Sequence, residues 1–260
     1  EGVRMEKTSI IGIILGILAV VLGLVFKGTS LVALINPAAI VIIFVGTIAC
    51  VLIGFPGNEL KKVPQLLKII FFKQNLPDTN ELIEQFVKLS TLARQEGILA
   101  IESHVDDIDD PFLKQGLRMV VDGMEPDFIR DTMEEELEAI EERHAVGAAI
   151  FTQAGTYAPS LGVLGAVIGL IAALGNLNDV ETLGNAIAAA FVATLFGIFS
   201  GYVLWHPFAN KLRRKSQQEI RLKSLMIEGV LSIQSGVSPR AMRDKLIVFV
   251  PHSERKDSEE

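Results

Sequence analysis

The chain has 260 residues, of which 50% are hydrophobic and 21% are charged, and its formal net charge is −7. This acidic balance argues against a nucleic-acid-binding protein. The charges lie between four apolar blocks, which excludes an ordinary soluble domain and indicates a protein of the membrane. Cys50 is the one cysteine in the sequence, so an intrachain disulfide is excluded.

Four stretches without Asp, Glu, Lys or Arg are each long enough to cross a bilayer as a helix, which takes about 20 apolar residues. They are residues 8–26, 28–58, 145–178 and 182–206. The sequence therefore predicts an all-α polytopic membrane protein with four transmembrane helices. We expect spans one and two in residues 8–54, a helical cytoplasmic domain in residues 55–146, spans three and four in residues 147–207, and a cytoplasmic C-terminal helix and tail in residues 208–260.

The basic residues set the expected orientation, because cytoplasmic loops of membrane proteins are enriched in Lys and Arg. Basic residues follow the second and the fourth spans, whereas the link between spans three and four holds Asp179 and Glu181 and no basic residue. Lys27 is the only charge between spans one and two. Both termini and the long middle segment are therefore expected in the cytoplasm.

The middle segment is strongly acidic, with 20 Asp and Glu against 10 Lys and Arg in residues 55–146. This balance favours a surface for a partner protein with basic patches. An amphipathic helix is predicted over residues 60–72. Asp78 with Glu81 is typical of a capping box that opens a helix, and Gly97 is expected to break that helix before a second one.

Two longer helices are predicted to leave the membrane. Before them, Asp110 and Pro111 are predicted to begin a shorter helix that ends near Gly123. From Pro126 the apolar residues keep helical spacing into span three, which predicts one long helix. Span four is expected to continue as a helix to about residues 229–236. The charged tail after Pro251 is predicted to be disordered.

The first half of span three is unusually polar for a transmembrane helix. Thr152, Thr156 and Ser160 recur every four residues on one helix face, with Tyr157 and Pro159 between them. A lipid-facing helix gains nothing from such hydroxyls, so this face is expected to contact a protein partner or water in an ion pathway. The face has no carboxylate, histidine or lysine, so an ion pathway there lacks its proton carrier.

Small residues on spans three and four predict close helix packing. The sequence offers Gly165 and Gly169 on span three, and a face of span four continues into Gly197 and Gly201. Ordinary packing within the chain is at least as good an explanation for these glycines as an interface with another chain. Thr194 differs, because a hydroxyl in the centre of that face can contact water or an ion.

Other chemical patterns in the sequence are weak. The glycines of span three lack the Gly-Lys-Ser/Thr ending of a phosphate loop, and residues 106–110 lack the glycine and glutamate of an EF-hand. His144 and His206 are expected at the cytoplasmic ends of spans three and four, as solvated side chains or, alternatively, as a proton relay. No nucleophile and base are placed together, so the sequence indicates no enzyme, no metal site and no cofactor.

Taken in order, several short motifs resemble the MotA family, the ring-forming subunits of the bacterial flagellar stator. The resemblance covers almost the whole chain and is fullest to the MotA proteins of Gram-positive bacilli. Its motifs are Asn-Pro-Ala-Ala at 36–39, Ala-Arg-Gln-Glu-Gly-Ile-Leu-Ala-Ile-Glu at 93–102, Asp-Gly at 122–123, Thr-Tyr-Ala-Pro-Ser-Leu-Gly at 156–162 and onwards to 170, Ala-Thr-Leu-Phe-Gly at 193–197, His-Pro at 206–207 and Ala-Asn-Lys-Leu at 209–212.

The resemblance implies a homopentamer around a dimer of MotB, whose single span supplies the proton-binding aspartate, in the bacterial cytoplasmic membrane. Pro159 and Pro207 match the prolines linked to coupling ion passage to motion, and Thr194 matches the hydroxyl that faces the MotB acid. Arg94 and Glu102 match the charged pair that engages the rotor protein FliG.

The resemblance also bears on the coupling ion. Sodium-driven relatives have threonine where this chain has Ala166 and Ala193, so H⁺ is the expected ion. The alternatives are a sodium-driven stator, an ExbB/TolQ-type ring, which has one span before its cytoplasmic domain rather than two, a self-sufficient channel or transporter, and a membrane scaffold without ion flow.

Overall fold

The computed structural model describes residues 5–175, 177–251, 253 and 255, and its elements there are helical apart from one isolated bridge between Met5 and Phe72. The α-helices are α1 Lys7–Phe26, α2 Pro37–Ile40, α3 Gly46–Gly54, α4 Gly57–Leu60, α5 Val63–Phe71, α6 Thr79–Glu96, α7 Glu102–Val105, α8 Pro111–Val121, α9 Pro126–Leu174, α10 Val180–Phe199, α11 His206–Gln234 and α12 Pro239–Leu246.

The prediction of four spans in an all-α chain is confirmed. Within the described residues, four helical segments are long and apolar enough to cross a membrane: Lys7–Phe26, Leu31–Gly54, Pro126–Leu174 and Val180–Gln234. The predicted long helix through span three is also found, since α9 continues from Pro126 to Leu174 with Pro159 inside it.

Two spans contain departures from the α-helix that were not predicted, including two wide, π-helical turns. The second span begins with a 3₁₀ turn, Leu31–Leu34, and has a π-helical turn, Val41–Val45, between α2 and α3. A second π-helical turn, Ser200–Trp205, joins α10 to α11. Pro207 explains the second turn, because a proline has no N–H for the carbonyl four residues earlier and its ring needs a wider helix there.

Two boundaries differ from the sequence prediction. Residues 60–72 do not form one helix, since α4 ends at Leu60 and α5 restarts at Val63 with Pro64 in its first turn. After Gly97, whose φ is +92°, the chain forms a 3₁₀ turn, Ile98–Ile101, before the short α7. Most of the tail after Pro251, predicted to be disordered, lies outside the described residues.

The chain divides into two compact units. The first, Glu1–Gln74 with His144–Arg214, is called the membrane unit below, and the second, Asn75–Arg143 with Lys215–Glu260, is called the helical unit. The helical unit is built on one apolar core in which Phe86, Phe112 and Leu225 are fully buried. Asp78 and Asp110 cap α6 and α8 as predicted, each accepting a backbone N–H within its first turn.

The membrane unit has two small buried clusters. One packs Ile70 of α5 against Phe151 and Ala209, and the other packs Ala39 and Ile43 of the second span against spans three and four. Spans one and two differ in burial within the chain. The helix α1 has no buried residue, whereas the second span buries one face.

Within the helical unit, ion pairs join α12 to α6 and α11. Arg243 forms a two-point ion pair with Glu84 of α6, and Lys245 contacts Glu228 at 2.6 Å. Burial raises the pKa of the Glu228 carboxyl, but Lys245 and Arg130 lower it more, so the net shift is downward.

A depressed carboxylate pKa stabilises the folded state above the unfolded pKa, and this contribution is lost as the pH falls through the folded pKa. We therefore expect the thermal stability of the purified protein to decline as the pH falls below the ordinary Glu value of 4.5. In Glu228→Gln this part of the decline is expected to be absent, and identical pH–Tm curves for the two proteins would contradict the assignment.

Candidate functional site

Spans three and four approach so closely that backbone touches backbone. A Cβ added at Gly197 would lie 2.7 Å from the Ala158 carbonyl oxygen and 2.8 Å from the Gly162 Cα, and one added at Gly162 would lie 3.3 Å from the Thr194 Cα. A Cβ added at Gly165 would lie 3.0 Å from the Ala193 Cβ, and one added at Gly169 would lie 3.0 Å from the Ala190 Cβ. We call this contact line between α9 and α10, with its continuation into the π turn, the seam.

The seam gives a prediction about packing. Gly197→Ala places a methyl group against backbone that cannot move aside, so we expect a loss of about 1–3 kcal/mol and a lower Tm in detergent. Gly12→Ala is the matched control, since nothing lies within 4 Å of its added Cβ. A Gly197→Ala protein as stable as Gly12→Ala would contradict this packing.

Thr194 lies at the centre of the seam and is half-buried. Its Oγ1 donates to the Ala190 carbonyl at 3.4 Å, a long hydrogen bond that leaves the hydroxyl able to accept another partner. Ala193 is 2% exposed and packs against Gly165, in the cluster with Ala39 and Ile43. Ala166 is half-buried. Although Thr194 and Ala193 are adjacent in sequence, their surroundings differ. Ala193 faces the interior of the chain, whereas Thr194 is only half-buried.

Pro159 lies about one helical turn from Gly162 along the seam. A Cβ added at Gly201, in the π turn, would lie 2.9 Å from the proline Cγ and 2.8 Å from the Gly155 carbonyl oxygen. Because proline has no N–H, the Gly155 carbonyl lacks its usual helical donor. The proline of α9 and the wide turn of span four thus meet at one point, and Pro207 follows that turn by two residues.

The hydroxyls of span three are held by the helix itself. Thr156 donates to the Thr152 carbonyl and Thr152 donates to the Ala148 carbonyl, both at 3.0 Å. Arg213 of α11 donates to Thr152 Oγ1 at 2.6 Å, a contact the sequence did not predict. The Tyr157 hydroxyl lies 3.6 Å from a Cβ added at Gly54, at the end of α3.

Lys211 joins three parts of the membrane unit. Its Nζ lies 3.1 Å from a Glu6 carboxylate oxygen and 2.6 Å from Ser9 Oγ at the start of α1. Ser9 in turn donates to the Ile70 carbonyl, and the Glu6 N–H donates to the Phe71 carbonyl, so α1 covers the open end of α5. Sequence reasoning missed this contact because its members are about 60 and 200 residues apart.

Arg94 and Glu102 flank the bend at Gly97 in the helical unit, and both are exposed. Glu102 lines an open cavity of about 190 Å³ with Asp106 and Arg118. Hydrogen bonds from Arg118 and then Lys114 lower the pKa of Asp106. Asp106, considered above for calcium, therefore pairs with two cations next to Glu102.

The α12 segment also holds α6, the helix that carries Arg94. Besides the Arg243–Glu84 ion pair, Ser90 of α6 donates to the Val237 carbonyl at 2.8 Å, and Ser90 is 1% exposed. These contacts fix the direction of α6 up to the bend at Gly97. These contacts were not predicted, since residues 239–246 were expected only as part of the C-terminal helix and tail.

Two family profiles match this chain. Residues 104–224 match the MotA/TolQ/ExbB proton channel family, and residues 10–97 match the N-terminal region of motility protein A. Motility protein A of Bacillus subtilis is 58% identical over 251 residues, which are 96% of this chain and 93% of that protein.

Two solved structures share the fold. The structure of the flagellar MotAB stator complex from Bacillus subtilis contains a chain with a TM-score of 0.91 and 58% identity, covering 96% of this chain and 98% of that one. The structure of C. jejuni MotAB gives a TM-score of 0.92 at 29% identity, over 98% and 100% of the two chains. The chain described here therefore belongs to the MotA family of flagellar stator proteins.

Proposed function

We propose that this chain is the ring subunit of a proton-driven flagellar stator, which binds MotB and turns inward ion flow into torque on the rotor. The observation that carries the proposal is a seam with hydroxyls and small residues, in spans without an acid, on a chain 58% identical to motility protein A over 96% of its length. A seam without a proton carrier fits a subunit whose partner supplies the carboxylate.

The proposed assembly is five copies of this chain around two copies of MotB, with both termini in the cytoplasm and four spans in the bacterial plasma membrane. The basic residues after the second and fourth spans support this orientation. The second span before the helical unit and the match of residues 10–97 to motility protein A favour a flagellar stator over an ExbB/TolQ-type ring.

In the proposed cycle, a proton from outside neutralises the MotB aspartate beside Thr194. The neutral acid loses its electrostatic preference for that position, and the ring turns until the proton can leave towards the cytoplasm. One charge crossing the membrane yields about 2.3 kcal/mol per 100 mV, so only small rearrangements can be driven. Pro159 contacts the wide turn Ser200–Trp205 at Gly201, and Pro207 follows that turn by two residues. Such rearrangements are proposed to occur there, because each proline leaves the carbonyl four residues earlier without its usual helical donor.

The helical unit is proposed to deliver torque to FliG through Arg94 and Glu102. Exposed charges of this kind set register and association rate more than affinity, which suits contacts made and broken at each step. Asp106, Lys114 and Arg118 lie next to Glu102 and extend this charged surface.

The proposed coupling ion is H⁺. Sodium needs several oxygen ligands to replace its water, whereas Ala166 and Ala193 supply none, and Ala193 packs against Gly165 rather than facing a pathway. Motility that requires Na⁺ and persists after collapse of the proton-motive force would refute this choice.

The test is complementation of a stator-null strain. Co-expression of this gene with a MotB gene is expected to restore swimming, and either gene alone is expected to fail. Swimming driven by this chain without MotB would contradict the proposal that the carboxylate comes from the partner.

A further inference from the structure

His206 lies against Gly155, one helical turn before Pro159 along the seam. The imidazole ring of His206 rests on the backbone of Gly155: a Cβ added at Gly155 would lie 2.8 Å from the ring Cγ and Cδ2 and 2.9 Å from Nδ1. The Tyr202 ring is 5.3 Å away between centroids. Glycine at 155 is therefore what lets the ring reach the seam.

His206 lies on the same line of contacts between α9 and span four as Thr194 and Pro159. Along the seam, the successive contacts are Gly162 with Thr194, Pro159 with Gly201, and Gly155 with His206. From Gly162 to Gly155 is seven residues, or about 10 Å of helix, towards the end of span three that leads to residue 144. The positive-inside pattern places that end at the cytoplasm.

The chemistry of this position is proton exchange. Imidazole is the side chain whose ordinary pKa lies between pH 5 and 8, so it can take up and release a proton at cytoplasmic pH. His206 is half-buried, with one side on the seam and the other accessible. Arg213, seven residues further along α11, donates to Thr152 of α9, so α11 stays beside α9 beyond His206.

We infer that His206 is the proton-exchange residue on the cytoplasmic side of this subunit, an inference that rests on the proposed stator function. The O–H bond of the neutral partner acid breaks and the proton reaches the free ring nitrogen through water over the interval of about 10 Å, leaving a carboxylate and an imidazolium. The imidazolium N–H then gives its proton to cytoplasmic water, which restores the neutral ring.

The test compares variants that separate packing from proton exchange. His206→Phe keeps a ring against Gly155 and Tyr202, and His206→Gln keeps a hydrogen-bonding group, but neither exchanges a proton. Both are expected to co-purify with MotB and to rotate tethered cells at least about tenfold more slowly than wild type. In His206→Ala cells, added imidazole is expected to restore rotation, whereas pyrazole, similar in shape but a much weaker base, is not.

Wild-type rotation by His206→Phe would overturn the inference, as would an assembled His206→Ala protein that imidazole does not restore. Loss of MotB co-purification in all three variants would also overturn it, since the role of the ring would then be structural. Failure of the wild-type pair to swim would instead count against the proposed stator function.

Discussion

Pro159→Ala is expected to make the protein more stable and the motor inactive. The substitution supplies the N–H that the Gly155 carbonyl lacks and removes a proline from within α9, where it costs about 3 kcal/mol. We expect a higher Tm in detergent together with rotation reduced to a few per cent of wild type or less, because the stiffened helix no longer yields against the wide turn of span four.

Pro111→Ala is the control for this prediction. Pro111 lies in the first turn of α8, where its missing N–H has no helical partner in any case, so little change in stability or rotation is expected. Wild-type rotation by an assembled Pro159→Ala protein would contradict the assigned role. A fall in Tm would show that the proline is needed for packing against Gly201.

Reversing the charge of Arg94 or Glu102 is expected to give the second large effect. Arg94→Glu and Glu102→Lys should abolish rotation at high load while leaving co-purification with MotB intact, because both side chains are exposed and outside the core of the helical unit. Opposite reversals in the rotor protein should partly restore rotation, since the proposed contact is a charge pair across an interface.

Asp127→Lys is the matched control for surface charge. Asp127 is equally exposed, in the first turn of α9, and its reversal changes the net charge by the same amount as Glu102→Lys. Equal loss of rotation in the two proteins would mean that overall charge matters rather than the surface around Gly97. Loss of assembly in Arg94→Glu would mean that its role is structural.

Local signals in the sequence predicted the elements that depend on local physics. Asp78 and Asp110 cap helices because their carboxylates reach N–H groups two or three residues ahead. The apolar spacing after Pro126 likewise predicted α9, since few breaking residues oppose that helix. These interactions lie within a few residues of each other along the chain.

What escaped prediction depends on packing between distant segments. The family resemblance singled out Ala193 for its bearing on the coupling ion, but it said nothing of the packing of Ala193 against Gly165 of another span. Glu6 and Lys211 meet only because α1, α5 and α11 converge in the membrane unit. The contact of Arg243 with Glu84 requires α12 to fold back on α6, and no feature of either segment signals the other.

The two π turns bear on how such a sequence can change length during evolution. An α-helix turns about 100° per residue, so one inserted or deleted residue normally rotates everything beyond it and moves every side chain to a new face. A π turn holds one extra residue within nearly the same rise. At Val41–Val45 and Ser200–Trp205 a single codon can therefore be lost while both flanking helices keep their faces, which makes these positions the places where homologous spans can differ in length and remain superimposable.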